Sequence, residues 1–183
     1  MQLNLFANQR RSSKLIVKAT VSFAIAAMFI TAALANPKGA ERRLSFQGYL
    51  QGHETDVLQG TPPEAISVDG SLTGIATHLT QFALTYKVTV KLPEGSSTGT
   101  AELIAANGDR IFTSIVGQGE PTDTETPNLN SIVEINLITG GTGQFAGAGG
   151  SFTVRRLVDL ATGFTSGSVR GTIRLPGERH GDR

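Results

Sequence analysis

A run of alternating apolar and polar residues constrains the fold of this chain more than any other feature. Apolar side chains occupy every second position at Phe82, Leu84, Tyr86, Val88, Val90 and Leu92. The positions between them include Thr85, Lys87, Thr89 and Lys91. Successive side chains of a β-strand point to opposite faces, so this period of two predicts a long strand with one buried and one wet face.

Similar runs, separated by turn residues, predict about eight strands in all. A second clear alternation, Val169-Gly171-Ile173-Leu175, lies near the C-terminus, and further strands are predicted at 43–51, 65–76, 100–106, 110–117, 131–138 and 151–160. Asn107-Gly108 lies between two of these runs and is typical of a tight hairpin turn. Residues 117–130 contain three acids and two prolines without periodicity, which predicts a loop.

No amphipathic helix of useful length interrupts the predicted strands, so the fold class is all-β. A single antiparallel sheet of about eight strands can close into a barrel, and closure leaves no exposed strand edge. We therefore predict one closed β-barrel. A two-sheet β-sandwich, which has a similar strand count and similar alternation, is the alternative.

The N-terminus has the parts of a secretory signal peptide. Basic residues lie between Arg10 and Lys18, an apolar run covers 19–34, and Ala33-Leu34-Ala35 supplies the small residues that a signal peptidase needs. We predict cleavage after Ala35 and export through the Sec route to the periplasm or the medium. The apolar run is short for a membrane span of about 20 residues; an uncleaved anchor is the alternative.

The predicted organisation is a signal peptide at 1–35, a short flexible segment at 36–42, the barrel domain at 43–176 and an exposed tail at 177–183. After cleavage the chain has twelve basic and fifteen acidic residues, a formal net charge of −3. This balance argues against nucleic acid as a partner and against membrane binding after cleavage. The absence of cysteine excludes disulfides, thiolate metal sites and a cysteine nucleophile. Oligomeric state is left open.

A glycine-rich stretch at 140–150 is the most unusual segment. Gly141, Gly143 and Ala146 match the spacing of a dinucleotide-binding fingerprint, but residues 151–154 predict a strand where that fingerprint needs a helix. We predict instead a tight structural connection in which Phe145 fills the core. The residues of this connection are Gly140, Gly141, Gly143, Phe145 and Gly147.

The glycine-rich stretch resembles the corresponding segment of plant dirigent proteins, which share the calycin-like barrel of the allene oxide cyclase type. Ala76-Thr77-His78-Leu79 followed by Phe82, then Ala105-Ala106-Asn107-Gly108-Asp109, then the glycine stretch, are similar in order to exported bacterial proteins of unassigned function. In that bacterial pattern, arginine stands where this chain has Gln81 and Gln144. The resemblance implies a barrel, and it carries no catalytic residue over to this sequence.

Histidines and acids do not form a recognisable metal site. His53, His78 and His180 are scattered, whereas zinc needs three or four converging ligands. His53, Glu54 and Asp56 are interpreted as a solvated loop. Three acids of the 117–130 segment lack the regular alternation of a calcium loop. We predict no metal and no cofactor.

The orientation of one pair of polar side chains is left open. Glu134 and Asn136 lie on the strand face opposite Val133, Ile135 and Leu137, which places them either in solvent or in a polar lumen. The sequence does not decide which face is inside.

The preferred functional hypothesis is an exported, non-catalytic barrel that binds a small apolar ligand, with Phe46, Tyr86 and Phe112 as its aromatic lining. An allene-oxide-cyclase-like or dirigent-like cyclase or isomerase is the first alternative, because confinement of a reactive apolar substrate requires few acid or base groups. A non-catalytic envelope scaffold that contacts a partner through residues 117–130 is the second. Catalytic residues are not predicted.

Overall fold

The computed structural model describes residues 40–122 and 128–177, and within them the chain is almost entirely strand. The strands are β1 (Arg42–Gln59), β2 (Ala65–Ala76), β3 (Thr80–Lys91), β4 (Ser96–Ala105), β5 (Arg110–Pro121), β6 (Leu129–Gly141), β7 (Gly149–Asp159) and β8 (Phe164–Leu175). One short 3-10 helix, Gly143–Phe145, connects β6 to β7. The predicted signal peptide, His180 and most of the predicted tail lie outside the described residues.

Each strand pairs with the next in antiparallel order, and β8 pairs with β1 to close the barrel. The prediction of an all-β closed barrel of eight strands is therefore confirmed, and the sandwich alternative is wrong. Among residues 40–122 and 128–177, no helix is long and apolar enough to cross a membrane.

The alternating row of β3 faces the interior as its sequence predicts. Phe82, Leu84, Tyr86 and Val88 are all buried. They meet the inward residues of the other seven strands in one core. The largest fully buried apolar side chains of this core include Phe46, Leu72, Leu103, Ile111, Phe145, Phe152 and Ile173. Burial of each is worth about 1.5–3 kcal/mol, so packing alone gives a chain without disulfides a sizeable core.

Two predicted segment boundaries are wrong. β1 continues to Gln59 rather than ending near residue 51, because 52–59 pair with β2 even though polar residues there hide the alternation. The predicted loop at 117–130 is also shorter, since β5 extends to Pro121 and β6 begins at Leu129. The register of β5 on β6 continues through this region and pairs Glu120 with Ser131.

One end of the barrel, the glycine end, contains the β2–β3, β4–β5 and β6–β7 turns. Here Asp109 Oδ2 accepts hydrogen bonds from the Gln144 backbone N–H (3.0 Å) and from Asn107 Nδ2 (2.8 Å). Gly143 has a φ of 55°, and a Cβ on it would lie 1.7 Å from the Asp109 carboxylate. Phe145 is 1% exposed and closes this end of the core. The three sequence motifs at 76–79, 105–109 and 140–150 thus lie at the same end.

The opposite end, the open end, contains the β1–β2, β3–β4 and β7–β8 turns, together with the end of β5 and the start of β6. β1 pairs with β8 only as far as His53, but it pairs with β2 through Gln59. The tips of β1 and β2 therefore extend beyond β8 as a ribbon. Leu58 is on the inward row of β1 and is nevertheless 63% exposed. The inward face at the tips of β1 and β2 is therefore partly open to solvent.

Candidate functional site

A layer of polar side chains crosses the interior below the open end. Inward positions of five strands supply it: β1, β3, β6, β7 and β8. Its members are Glu54, Tyr86, Glu134, Arg156 and Thr165, whose side chains are all buried. Because these residues are far apart in sequence, only closure of the barrel brings them together.

Arg156 is the centre of this polar layer. Its Nη1 donates hydrogen bonds to Glu54 Oε2 (2.6 Å) and to Thr165 Oγ1 (3.2 Å). Nη2 and Nε donate to the two carboxylate oxygens of Glu134 at 3.2 and 3.3 Å. This fork of parallel bonds is the geometry that guanidinium and carboxylate groups favour. One arginine thus joins two buried carboxylates on different strands.

The electrostatics of Arg156 follow from these contacts. Burial alone would lower the pKa of its guanidinium, since desolvation disfavours a charge. The negative charge of Glu134, followed by interactions with Tyr86 and Glu54, outweighs burial and raises the pKa. Arg156 is therefore charged at any pH at which the barrel is folded.

Tyr86 lies against the arginine. Its hydroxyl donates a hydrogen bond to Glu54 Oε2, and the Arg156 guanidinium carbon is 5.1 Å from the centre of its ring. The ring occupies space left by a glycine on β2, since a Cβ on Gly70 would lie 2.0 Å from it. Desolvation is the largest cause that raises the pKa of Tyr86, and Glu54 adds to it while Arg156 opposes it. Tyr86 is thus a neutral hydrogen-bond donor.

The raised pKa of Tyr86 predicts a distinctive alkaline titration. The chain has two tyrosines, so the variant Tyr49→Phe leaves Tyr86 as the only phenol. The unfolded chain releases this proton near pH ~10, below the folded pKa, so stability decreases as the pH rises above that value. We expect phenolate absorbance to appear together with the loss of the circular dichroism signal. Reversible ionisation near pH ~10 with an intact signal would contradict the buried position of Tyr86.

Asp56 lies one inward position above Glu54, at the mouth of the barrel. Burial raises the pKa of its carboxyl, and the negative charge of Glu54 raises it further, while Arg156 acts in the opposite direction. Asp56 does not belong to the polar layer, and it is exposed, whereas the members of that layer are buried. It is thus the ionisable group of this cluster that a molecule entering from solvent would meet first.

A small void lies on the other side of the polar layer, towards the middle of the barrel. Its volume is about 10 Å3, at the lower limit for holding one water molecule, and Tyr86, Glu134, Asn136 and Arg156 contribute to its lining. Asn136 Oδ1 accepts a hydrogen bond from Thr113 Oγ1 (2.9 Å), and the buried Nδ2 has no partner among the described residues. The middle of the barrel is therefore filled by side chains and does not hold a larger molecule.

The three predicted lining aromatics have different positions. Phe46 is fully buried in the filled part of the core, with its ring 5.0 Å from that of Phe152. Tyr86 faces the interior at the polar layer. Phe112 does not line the interior: it is 38% exposed, because β5 turns Ile111 and Thr113 inward and the residue between them outward. Whether Phe46 or Tyr86 contacts a ligand stays a prediction.

Other predicted positions are also placed by the structure. Glu134 and Asn136 face the lumen and not solvent. The segment containing His53, Glu54 and Asp56 is strand rather than loop, and it points Glu54 inward while His53 packs edge-on against Phe164 on the outside. His78 is exposed in the β2–β3 turn. Within 40–122 and 128–177, no three histidine or acidic side chains form a cluster suited to a metal ion.

Sequence reasoning missed Arg156, Glu54 and Thr165. A usable signal existed for Arg156, which continues the row Phe152-Val154-Arg156-Val158 and so places a charge on the apolar face of a predicted strand. Glu54 had no such signal, because its neighbours are polar on both faces.

Comparison with known proteins gives a limited likeness. No protein-family model matches the sequence, and no curated protein matches it at a significant level. Two solved structures of pterocarpan synthase dirigent proteins are similar to the chain. The first is 15% identical with a TM-score of 0.30 and covers 81% of this chain and 95% of the other. The second is 13% identical with a TM-score of 0.26, covering 78% and 98%. A likeness at this level assigns no activity.

Proposed function

We propose that this chain is an exported barrel that binds a small, mostly apolar molecule at its open end. The observation that carries the proposal is a group of apolar side chains, the inner wall, that lies between the polar layer and the solvent at the open end. Leu58, Ile66 and Val90 are on inward rows of β1, β2 and β3, and none of the three is fully buried. A molecule seated there would remove this apolar surface from water, which favours binding by about 25 cal/mol per Å2.

The polar layer supports recognition of a hydrogen-bonding group on the same molecule. Burial of Arg156 between two carboxylates is weak as a stabilising device, because an apolar filling of equal volume is often as stable or more so. Clusters of buried ionisable groups with perturbed pKa values are frequent at binding and catalytic sites. Asp56, the exposed carboxyl next to the polar layer, would contact a hydroxyl or carbonyl substituent of the ligand.

Export rests on the predicted signal peptide at 1–35, and the proposed ligand site rests on the barrel. The two parts of the proposal are independent. N-terminal sequencing of the protein secreted by its own host tests the first, with Asn36 expected as the new N-terminus.

The variant Asp56→Asn is expected to stabilise the barrel while weakening ligand binding. A carboxyl whose folded pKa is raised loses stability as the pH rises above its unfolded value of 3.8, so its neutral amide should raise the melting temperature at pH ~7 and change it little at pH ~3. Thermal unfolding at both pH values measures this. Asp69→Asn, which removes an exposed carboxylate from the outer face, is the control and should give no gain. An equal gain at both pH values would contradict the assignment.

The ligand itself is tested by native mass spectrometry of the protein purified from its host. Leu58→Ser should reduce the retained mass, because Leu58 belongs to the inner wall. Val57→Ser changes the adjacent side chain, which points outward and is similarly exposed, and should leave retention unchanged. A protein that retains no molecule, or equal retention in the two variants, would argue against binding at the open end and in favour of an envelope scaffold.

A cyclase or isomerase is a second candidate. Asp56, whose pKa is raised, lies above a tyrosine that donates to Glu54, and such a pair can serve as base and acid. The two candidates differ in one outcome. Asp56→Asn would abolish turnover of a retained molecule if the protein were an enzyme, whereas a binding protein returns that molecule unaltered.

A further inference from the structure

A strip of positive charge runs along the outer wall of β7, β8 and β1. We define the arginine strip as Arg43, Arg155, Arg170 and Arg174, whose side chains are all exposed. These are four of the nine basic residues among 40–122 and 128–177, and eleven acids share the same ranges. The barrel is therefore acidic as a whole but positive along this one face.

The register brings the four arginines close to one another. Arg43 is directly opposite Arg174 in the β1–β8 pair, where Cβ atoms are about 4.5–5.5 Å apart. Arg155 is opposite Ser168 in the β7–β8 pair, which makes it a diagonal neighbour of Arg170 at about 7–8 Å. Arg174 is four positions after Arg170 on β8, a distance of about 13 Å. The strip thus presents two pairs of cations separated by about 13 Å.

These cations are poorly neutralised by the protein itself. Glu41 accepts a hydrogen bond from Arg43 Nε at 3.1 Å and lies 3.9 Å from Arg174 Nη1. Arg155 and Arg170 have no ion pair with any described residue. Like charges facing each other across strands cost stability. An external anion would remove that cost.

Between the arginines the outer face carries hydroxyl and amide groups. These side chains are Ser45, Gln47, Ser151, Thr153, Ser168 and Thr172. They can donate to and accept from the hydroxyls of a sugar. Tyr49 is 77% exposed, faces Ser168 across β1 and β8, and adds a flat apolar surface at the edge of the strip.

We propose that the arginine strip binds a linear anionic polysaccharide, whose carboxylate or sulfate groups pair with the guanidinium forks while its hydroxyls meet the intervening side chains. A lipid surface fits less well, because the side chains between the arginines are polar and the exposed apolar residues Tyr49 and Leu157 lie only at the edge of the strip. Duplex DNA fits less well, because the acidic remainder of the barrel would repel its extended phosphate backbone. This surface is on the outer wall and is independent of the ligand site at the open end.

Binding of heparin and of polygalacturonate, measured by calorimetry at several salt concentrations, tests the proposal. Arg155→Gln combined with Arg170→Gln should raise Kd about tenfold or more, equivalent to at least about 1.4 kcal/mol. Lys87→Gln combined with Lys91→Gln removes the same charge from β3 and should change Kd less than about twofold. Glu41→Gln should tighten binding.

Three results would overturn the proposal. The first is an equal loss of affinity in the arginine and lysine variants, which would indicate a general charge effect. The second is tighter binding to phosphatidylglycerol vesicles or to duplex DNA than to either polysaccharide. The third is no measurable binding to either polysaccharide at low salt. Because all the altered side chains are exposed, unchanged melting temperatures should establish that every variant folds.

Discussion

Replacement of Arg156 by methionine is expected to lower the free energy of unfolding by about 3–5 kcal/mol. The variant leaves Glu54 and Glu134 buried without their shared cation, and an uncompensated buried charge is among the most damaging changes a core can suffer. Urea unfolding monitored by circular dichroism measures the effect. The adjacent Arg155 points outward and supplies the control, since Arg155→Met should stay within about 0.5 kcal/mol of the parent.

A compensated variant separates charge from packing in this experiment. Combining Arg156→Met with Glu54→Gln and Glu134→Leu removes the two carboxylates along with the arginine. Stability should then recover most of the loss, because apolar replacement of a whole buried ionic group is often neutral. If Arg156→Met alone were as stable as the parent, the polar layer would not be a dry ionic cluster.

Replacement of Phe145 by alanine is expected to cost about 3–5 kcal/mol. Phe145 closes the glycine end, and its removal leaves a cavity in the core beneath the β6–β7 connection. Phe112→Ala is the matched control, because this aromatic ring lies on the outer wall and should cost less than about 1 kcal/mol. Thermal and urea unfolding of the two variants compare them directly.

If Phe112→Ala lowered the stability more than Phe145→Ala, Phe112 would have to lie in the interior, as the sequence predicted. That outcome would also require β5 to turn its other face inward, which would move Ile111 and Ile115 into solvent. The pair of variants therefore tests the register of β5 as well as the role of the glycine-rich connection.

Most of the fold could be predicted from the sequence because closure of a barrel depends on local alternation and on turns. The alternation from Phe82 to Val88 predicted which face of β3 is buried, since only one face of that strand is apolar. β5 was harder, because Ile111-Thr113-Ile115 and Phe112-Ser114-Val116 each mix apolar and hydroxyl side chains. The pairing of Leu103 on β4 with Ile111 on β5 determines which face of β5 is buried. A contact between two strands cannot be read from the sequence of one of them.

The candidate site was less predictable for a different reason. Glu54 and Arg156 are 102 residues apart, and their 2.6 Å contact exists only across the closed barrel. Glu54 lies in a stretch whose polar residues conceal the second half of β1. The alternation of β3 predicted that Tyr86 faces the interior. Its contacts with Glu54 and Arg156 could be identified only from the arrangement of the strands in three dimensions.

The pairing of β1 with β8 makes completion of this fold depend on the last strand to be synthesised. Every other pairing joins strands that are neighbours in sequence and can form as hairpins while the chain lengthens. Until β8 is present, β1 and β7 keep unpaired edges that can recruit other chains. A shortened chain without its final strand would thus be an aggregation hazard rather than a smaller barrel.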